Sequence, residues 1–146
     1  MRKNKIFVAC DSTNILKVKK IISKTQNSKI KVGYKFGLEF LNSKSGRTFL
    51  SKLKNKIIFA DLKLHDIPNT CASTVKAMKD LKIDYLTIHI SSGLEALKAT
   101  KKVTGKIKLI GVTILTSLDN KSLKDIGYNN DVKKLVLHQA KLAHKA

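Results

Sequence analysis

The chain has no tryptophan, one proline, seven glycines and only two arginines, Arg2 and Arg47, among its 30 basic residues. Aromatic residues make up 5%, so stacking platforms for single-stranded nucleic acid are not expected. So little proline and glycine excludes a collagen-like or Pro/Gly-rich disordered chain. With arginine this scarce, bidentate forks for bases and phosphates are in short supply. Cys10 and Cys71 lie far apart and form no C-x-x-C pair, which suits a reduced compartment better than a disulfide framework. The four histidines, 65, 89, 138 and 144, show no metal-ligand spacing with them. No apolar run reaches the length of a membrane span. The basic N-terminus leads into a short apolar run that stops at Asp11, which reads as a first strand and not as a signal peptide. Only ten acids oppose the basic residues, giving a net charge of +20. The lysines are spread over every segment, so we read them as a solvated surface with weak, nonspecific attraction to polyanions. These absences predict a soluble, cytoplasmic protein with no specific nucleic-acid or membrane partner.

What is present is a core. Of 146 residues, 42% are hydrophobic, enough for one domain, residues 1–146. Short apolar runs recur at 6–10, 30–36, 57–60, 83–90 and 107–115. Amphipathic segments lie between them. Asn14, with Ser12 and Thr13, offers an N-cap to a helix whose apolar face carries Ile15, Leu16, Val18, Ile21 and Ile22. Further helices are expected over about 38–53, 68–81 with Pro68 in its first turn, 94–103 and 132–146. Residues 116–122 read as a polar loop. The pattern is β-α repeated five times at about 25 residues. Near-continuous apolar strands alternating with helices predict a covered parallel sheet. Two architectures fit: a doubly wound open sheet, or part of a (β/α)8 barrel. The first βα turn, Asp11-Ser12-Thr13-Asn14, is not glycine-rich, and no Walker A sequence occurs, which argues against a nucleotide-cradling domain.

Ligands of such folds bind at the carboxyl ends of the strands. Asp11 ends the first run, and Lys31 lies within the second. Asp61 ends the third, with Lys63 and Asp66 following. His89 and Ser91 end the fourth, and Thr113, Thr116 and Ser117 the fifth. A charge inside a buried strand is costly unless it is paired, so Lys31 is expected to meet the acids. Asp61 and Lys63, separated by one residue, are expected to project to the same side of an extended strand end. A lysine held between carboxylates stays protonated. It is then a poor Schiff-base nucleophile and a good proton donor, suited to quenching a carbanion.

The segment DLKLHDIPNT, residues 61–70, resembles the D-x-K-x-x-D-I-P-N-T pattern of the orotidine 5′-phosphate decarboxylase family. VACD (8–11), KVG (31–33), IHISSG (88–93) and VTILTS (112–117) support the likeness in family order. The resemblance implies a (β/α)8 TIM barrel, decarboxylation of orotidine 5′-monophosphate to UMP, and no metal or organic cofactor. By the same resemblance Lys63 protonates the C6 carbanion, and Asp61 lies beside the substrate carboxylate. Asp66 completes a Lys31-Asp61-Lys63-Asp66 network from the partner subunit of a homodimer. Ile67 and Thr70 also reach across that interface. Asp11 and Lys31 hold ribose hydroxyls, and Thr116 and Ser117 face the pyrimidine.

A complete barrel has eight βα units, and this sequence shows about five. The expectation is therefore a truncated member lacking the last strands, where the family's phosphate-gripping residues lie, and inactive in isolation. Two other readings predict different chemistry. A metal-dependent sugar-phosphate synthase or decarboxylase of the same superfamily resembles this chain at Asp61, Lys63 and Asp66, but carries an acid on its second strand. A noncatalytic basic module would bind polyanions with steep salt dependence.

Overall fold

The computed structural model describes residues 5–129 and 131–146, with Lys5 described in its backbone alone; Arg2 lies outside them. Five strands alternate with helices: β1 (Lys5–Ala9), α1 (Ile15–Thr25), β2 (Lys31–Gly37), α2 (Leu38–Asn42), α3 (Gly46–Lys52), β3 (Ile57–Leu64), α4 (Pro68–Ala77), β4 (Tyr85–His89), α5 (Leu94–Val103), β5 (Lys108–Val112), α6 (Asn120–Asp125) and α7 (Val132–His144). The strands form one sheet in the order β1-β2-β3-β4-β5. β1 pairs with β2, and β2 with β3, in parallel. A doubly wound sheet reverses its strand order partway. Here the order follows the chain, so the barrel-type winding is the one adopted, over five βα units.

The chain falls into two compact units. One takes in the chain up to Leu62 with Ala77–Leu86 and Lys106–Lys108. Its core holds Val18 and Ile22 of α1 with Tyr34, Phe36, Phe40, Leu50 and Ile58. Phe7, Phe59 and Tyr85 form a ring cluster with centroids 5.1–6.1 Å apart, an edge-on geometry that aromatic quadrupoles favour. Asp84 staples strand starts together: its carboxylate accepts from the Ile58 N–H at 2.8 Å, its own N–H donates to the Ile58 carbonyl, and its carbonyl accepts from Lys108 N–H. The second unit comprises Lys63–Lys76, Thr87–Gly105 and Leu109–Ala146. It packs Cys71, Ile88, Ile90 and Leu97 against Leu64, Leu109, Leu142 and Ala143.

Local chemistry sets the boundaries. Asn14 caps α1, its Oδ1 accepting from the N–H groups of Leu16 and Lys17. Leu16, expected on the apolar face, is 74% exposed; the face that is buried runs through Val18 and Ile22. The helix expected over 38–53 is two helices. Ser43 Oγ and N–H both return to the Phe40 carbonyl, closing α2 by competing for its last acceptor. The helix expected over 68–81 ends at Ala77, and a 3₁₀ turn, Lys79–Leu81, leads to Lys82 at φ 48°. Asp119, whose Oδ1 accepts from Ser122 N–H, starts α6 inside the stretch that composition marked as loop.

Gly46 opens α3 directly against the Phe40 carbonyl: a Cβ built there would lie 1.8 Å from that oxygen. Gly46→Ala should therefore cost about 2–4 kcal/mol through forced backbone displacement. The check is a fall in the urea midpoint at unchanged slope; an unchanged midpoint would show that the α2–α3 corner gives way freely.

Candidate functional site

Register places the charged residues of the first unit. Ala9 of β1 and Phe59 of β3 both pair with Lys35 of β2. Asp11 and Asp61 each lie two residues beyond those partners, and Asp61 pairs with Gly37. With a side-chain period of two, all three charged residues share one face of the sheet, and Lys35 sits one layer below the acids. Its Nζ reaches up to 3.4 Å from Asp11 Oδ2 and 3.4 Å from Asp61 Oδ2. Gly37 keeps that space open, since a Cβ there would lie 3.3 Å from Asp11 Oδ1. The Asp61 side chain is 14% exposed and that of Lys35 27%. A charge so shielded is tolerated because it is paired on both sides. The buried Cys10 beside this cluster has its thiol pushed up to about 11 by burial, with Asp11 adding to the rise; it stays protonated and is no nucleophile.

Lys31 is not in this site. It pairs with Lys5 at the amino end of β2 and is exposed. It lines a depression with Gln26, Ser28, Asn55 and Lys56. Four residues of strand separate it from Lys35, roughly 13 Å at about 3.3 Å per residue. The period-two pattern puts both lysines on one face, and chain direction puts Lys35 nearer the carboxyl end of β2. The K-x-G that meets the acids is Lys35-Phe36-Gly37, not Lys31-Val32-Gly33. A signal for it was present: Lys35 is flanked by Tyr34 and Phe36, both buried, and Gly37 immediately precedes α2.

In the second unit, Lys63 departs from strand geometry. Its φ is 49°, a left-handed conformation that costs a side-chain-bearing residue about 1–2 kcal/mol. The alternation rule therefore does not set the direction of its side chain. Its N–H donates to Thr87 Oγ1 at 2.8 Å. Asp66 and Ile67 on the turn into α4 and Thr70 at the start of that helix are exposed, Ile67 by 65%. The Asp66 carboxylate accepts from the Ile67 N–H, and the Ile67 carbonyl accepts from Cys71 N–H. His65 and His89 face each other with ring centroids 5.1 Å apart, and His65 Nε2 lies 3.3 Å from Ser91 Oγ. Burial holds His89 below its ordinary value near 6.5, and the charges of His65 and Lys63 lower it further. These rings border a cavity of about 200 Å³, also lined by Ser91, Thr113, Tyr128 and the buried Gln139. Sequence reasoning missed Gln139, which sits on α7 far from any motif. Thr116 and Ser117 are exposed in the turn after β5 and do not line this cavity. Among the described residues no group of three or more His, Cys, Asp or Glu could hold a metal ion, and no helix is long and apolar enough to cross a membrane.

Residues 4–146 match the family described as "Orotidine 5'-phosphate decarboxylase / HUMPS family". The chain is 46% identical to an orotidine 5′-phosphate decarboxylase of Wolbachia pipientis subsp. Culex pipiens (strain wPip), over 97% of this chain and 63% of the relative. It thus spans less than two thirds of that relative's length. It superposes on the crystal structure of orotidine 5′-phosphate decarboxylase from Lactobacillus acidophilus at TM-score 0.84 and 31% identity, covering 97% of this chain and 67% of that one. The fold alone is shared with an orotidine 5′-monophosphate decarboxylase from Methanocaldococcus jannaschii, at TM-score 0.77 and 23% identity, covering 99% and 64%.

Two outcomes follow from the geometry. Lys35→Ala removes the ammonium that Asp11 and Asp61 share and should cost about 2–3 kcal/mol, less than the figure for a fully buried pair because the cluster is partly open. Lys31→Ala should stay within about 0.5 kcal/mol. Denaturant midpoints of the two variants decide, and equal losses would contradict the placement. For His89, the unfolded chain takes up a proton as pH falls through about 6.5, while the folded chain resists until lower pH. Its contribution is full above that value and is lost as pH falls below it. His89→Asn should flatten the decline in midpoint between neutral and mildly acid pH; an identical decline in the variant would contradict this.

Proposed function

The chain belongs to the orotidine 5′-phosphate decarboxylase / HUMPS family, and from that membership we propose that it decarboxylates orotidine 5′-monophosphate to UMP and CO2, the last step of pyrimidine nucleotide synthesis. The observation that carries the reading is the Lys35 ammonium held between Asp11 and Asp61 at the carboxyl end of the sheet, with Lys63 farther along the same strand as Asp61. In this reading the substrate carboxylate lies against Asp61. The bond from C6 to the carboxylate breaks, CO2 leaves, and the electron pair stays on C6. The Lys63 ammonium gives that carbon a proton and is reprotonated from solvent. Asp11 and Lys35 hold ribose hydroxyls, Lys35 taking the role first expected of Lys31. Thr116 and Ser117 face the pyrimidine. The exposed Asp66, Ile67 and Thr70 serve the neighbouring site of a homodimer, which gives a purpose to an isoleucine left 65% in water. Two free, buried thiols suit a cytoplasmic setting.

Magnitudes divide the work. Two like charges about 4 Å apart repel by roughly 4 kcal/mol at an effective dielectric of about 20, whereas enzymes lower barriers by about 8–23 kcal/mol. Repulsion at Asp61 is therefore a minor share. Stabilisation of the carbanion by Lys63, supported by binding energy from the ribose and phosphate, supplies more. A metal-dependent sister reaction fits less well, because a cation seated by Asp11 and Asp61 would meet the Lys35 ammonium.

The test is release of CO2 from carboxyl-labelled orotidine 5′-monophosphate, by the chain alone and joined to the unmatched portion of the Wolbachia relative. In whichever form turns over, Lys63→Ala should keep UMP binding within a few-fold and lower kcat by at least about 10³-fold. Turnover near wild type in that variant would overturn the proposal. So would sugar-phosphate chemistry stimulated by Mg2+ with no reaction on orotidine 5′-monophosphate.

A further inference from the structure

Thr87 is buried in the middle of β4, between the buried Leu86 and Ile88. Valine or isoleucine would fill such a position on packing grounds alone. The hydroxyl needs a reason, since a buried polar group costs free energy unless it is hydrogen-bonded. Here Oγ1 accepts from the Lys63 N–H at 2.8 Å. In a regular parallel ladder that N–H would go to a backbone carbonyl of a neighbouring strand. It goes to a side chain instead, at the residue of β3 whose φ is 49°. A side-chain-bearing residue keeps a left-handed conformation only when its surroundings over-determine it.

We propose that Thr87 is a positioning residue: its hydroxyl holds the backbone of Lys63 in the left-handed conformation and so fixes where the ammonium is delivered. This rests on the reading of Lys63 as proton donor. In this proposal Thr87 acts through Lys63. Its effect belongs to kcat and not to substrate affinity, because proton delivery is used in the transition state and not in ground-state binding.

Thr87→Val keeps the shape and removes the acceptor; Thr87→Ala removes it by a second route if the valine does not fold; Thr87→Ser keeps it. In the form of the enzyme that turns over, the valine or alanine should lower kcat about 10–100-fold with KM within about twofold. Serine should stay within about threefold of wild type. Amide hydrogen exchange at Lys63 should quicken in valine or alanine and stay protected in serine, independently of turnover. Unchanged kcat in the valine and alanine variants, while Lys63→Ala is dead, would overturn the inference and leave the reading of Lys63 standing. Equal impairment in serine and valine would also overturn it, by showing that volume matters and the acceptor does not. Turnover surviving Lys63→Ala would remove the reading itself, and this inference with it.

Discussion

An ammonium group sunk among apolar strands has to be met by negative charge, and in this chain the ammonium of Lys35 is met twice. Asp11 and Asp61 each lie 3.4 Å from its Nζ. That arrangement constrains the structure around it. It needs β1, β2 and β3 in parallel and in the register that sets Ala9 and Phe59 beside Lys35. It needs a glycine at position 37, where a side chain would crowd Asp11. It also needs an acid just beyond β1 and another in β3 beside Gly37, which keeps the charge toward the sheet's carboxyl end, where folds of this kind hold their ligands. Slipping the register by one residue would turn Lys35 to the other face and carry its ammonium away from both carboxylates.

The second unit holds its polar residues differently. Lys63 sits where β3 abandons extended geometry, with its N–H taken by a threonine side chain. A side-chain-bearing residue keeps such a conformation only where its surroundings hold it there. Nearby, burial and neighbouring positive charge weaken the hold of His89 on a proton, beside the cavity that it borders with His65.

The sequence carried the fold because its signals are local. Apolar runs of strand length, an Asn14 cap, Pro68 at a helix start and a steady βα repeat are each readable without tertiary knowledge. Boundaries were less legible where side chains compete with the backbone, as Ser43 does for the Phe40 carbonyl and as Asp119 does in starting α6. The candidate cluster was legible at Asp11 and Asp61, each closing an apolar run, while Lys63 and Asp66 stood out only by the motif they belong to. It was misread at the second strand. Lys31 and Lys35 have the same parity in one apolar run, and their order in it put Lys35 nearer the carboxyl end; the pairing of β2 with β1 and β3 then sets it beside the acids. Thr87 and Gln139 left no signal, because a threonine in a strand and a glutamine in a helix are unremarkable until a partner, or the lack of one, is visible.

The compensated lysine makes a claim that turnover can judge directly. Decarboxylation of orotidine 5′-monophosphate should be measured for Lys35→Met and Lys31→Met side by side, in the form of the protein that turns over. We expect Lys35→Met to lose at least about 100-fold in kcat/KM, a deficit of about 2.7 kcal/mol in transition-state stabilisation. Lys31→Met should remain within about twofold of wild type. A Lys35→Met variant with near-normal turnover, or one no worse than Lys31→Met, would contradict the account.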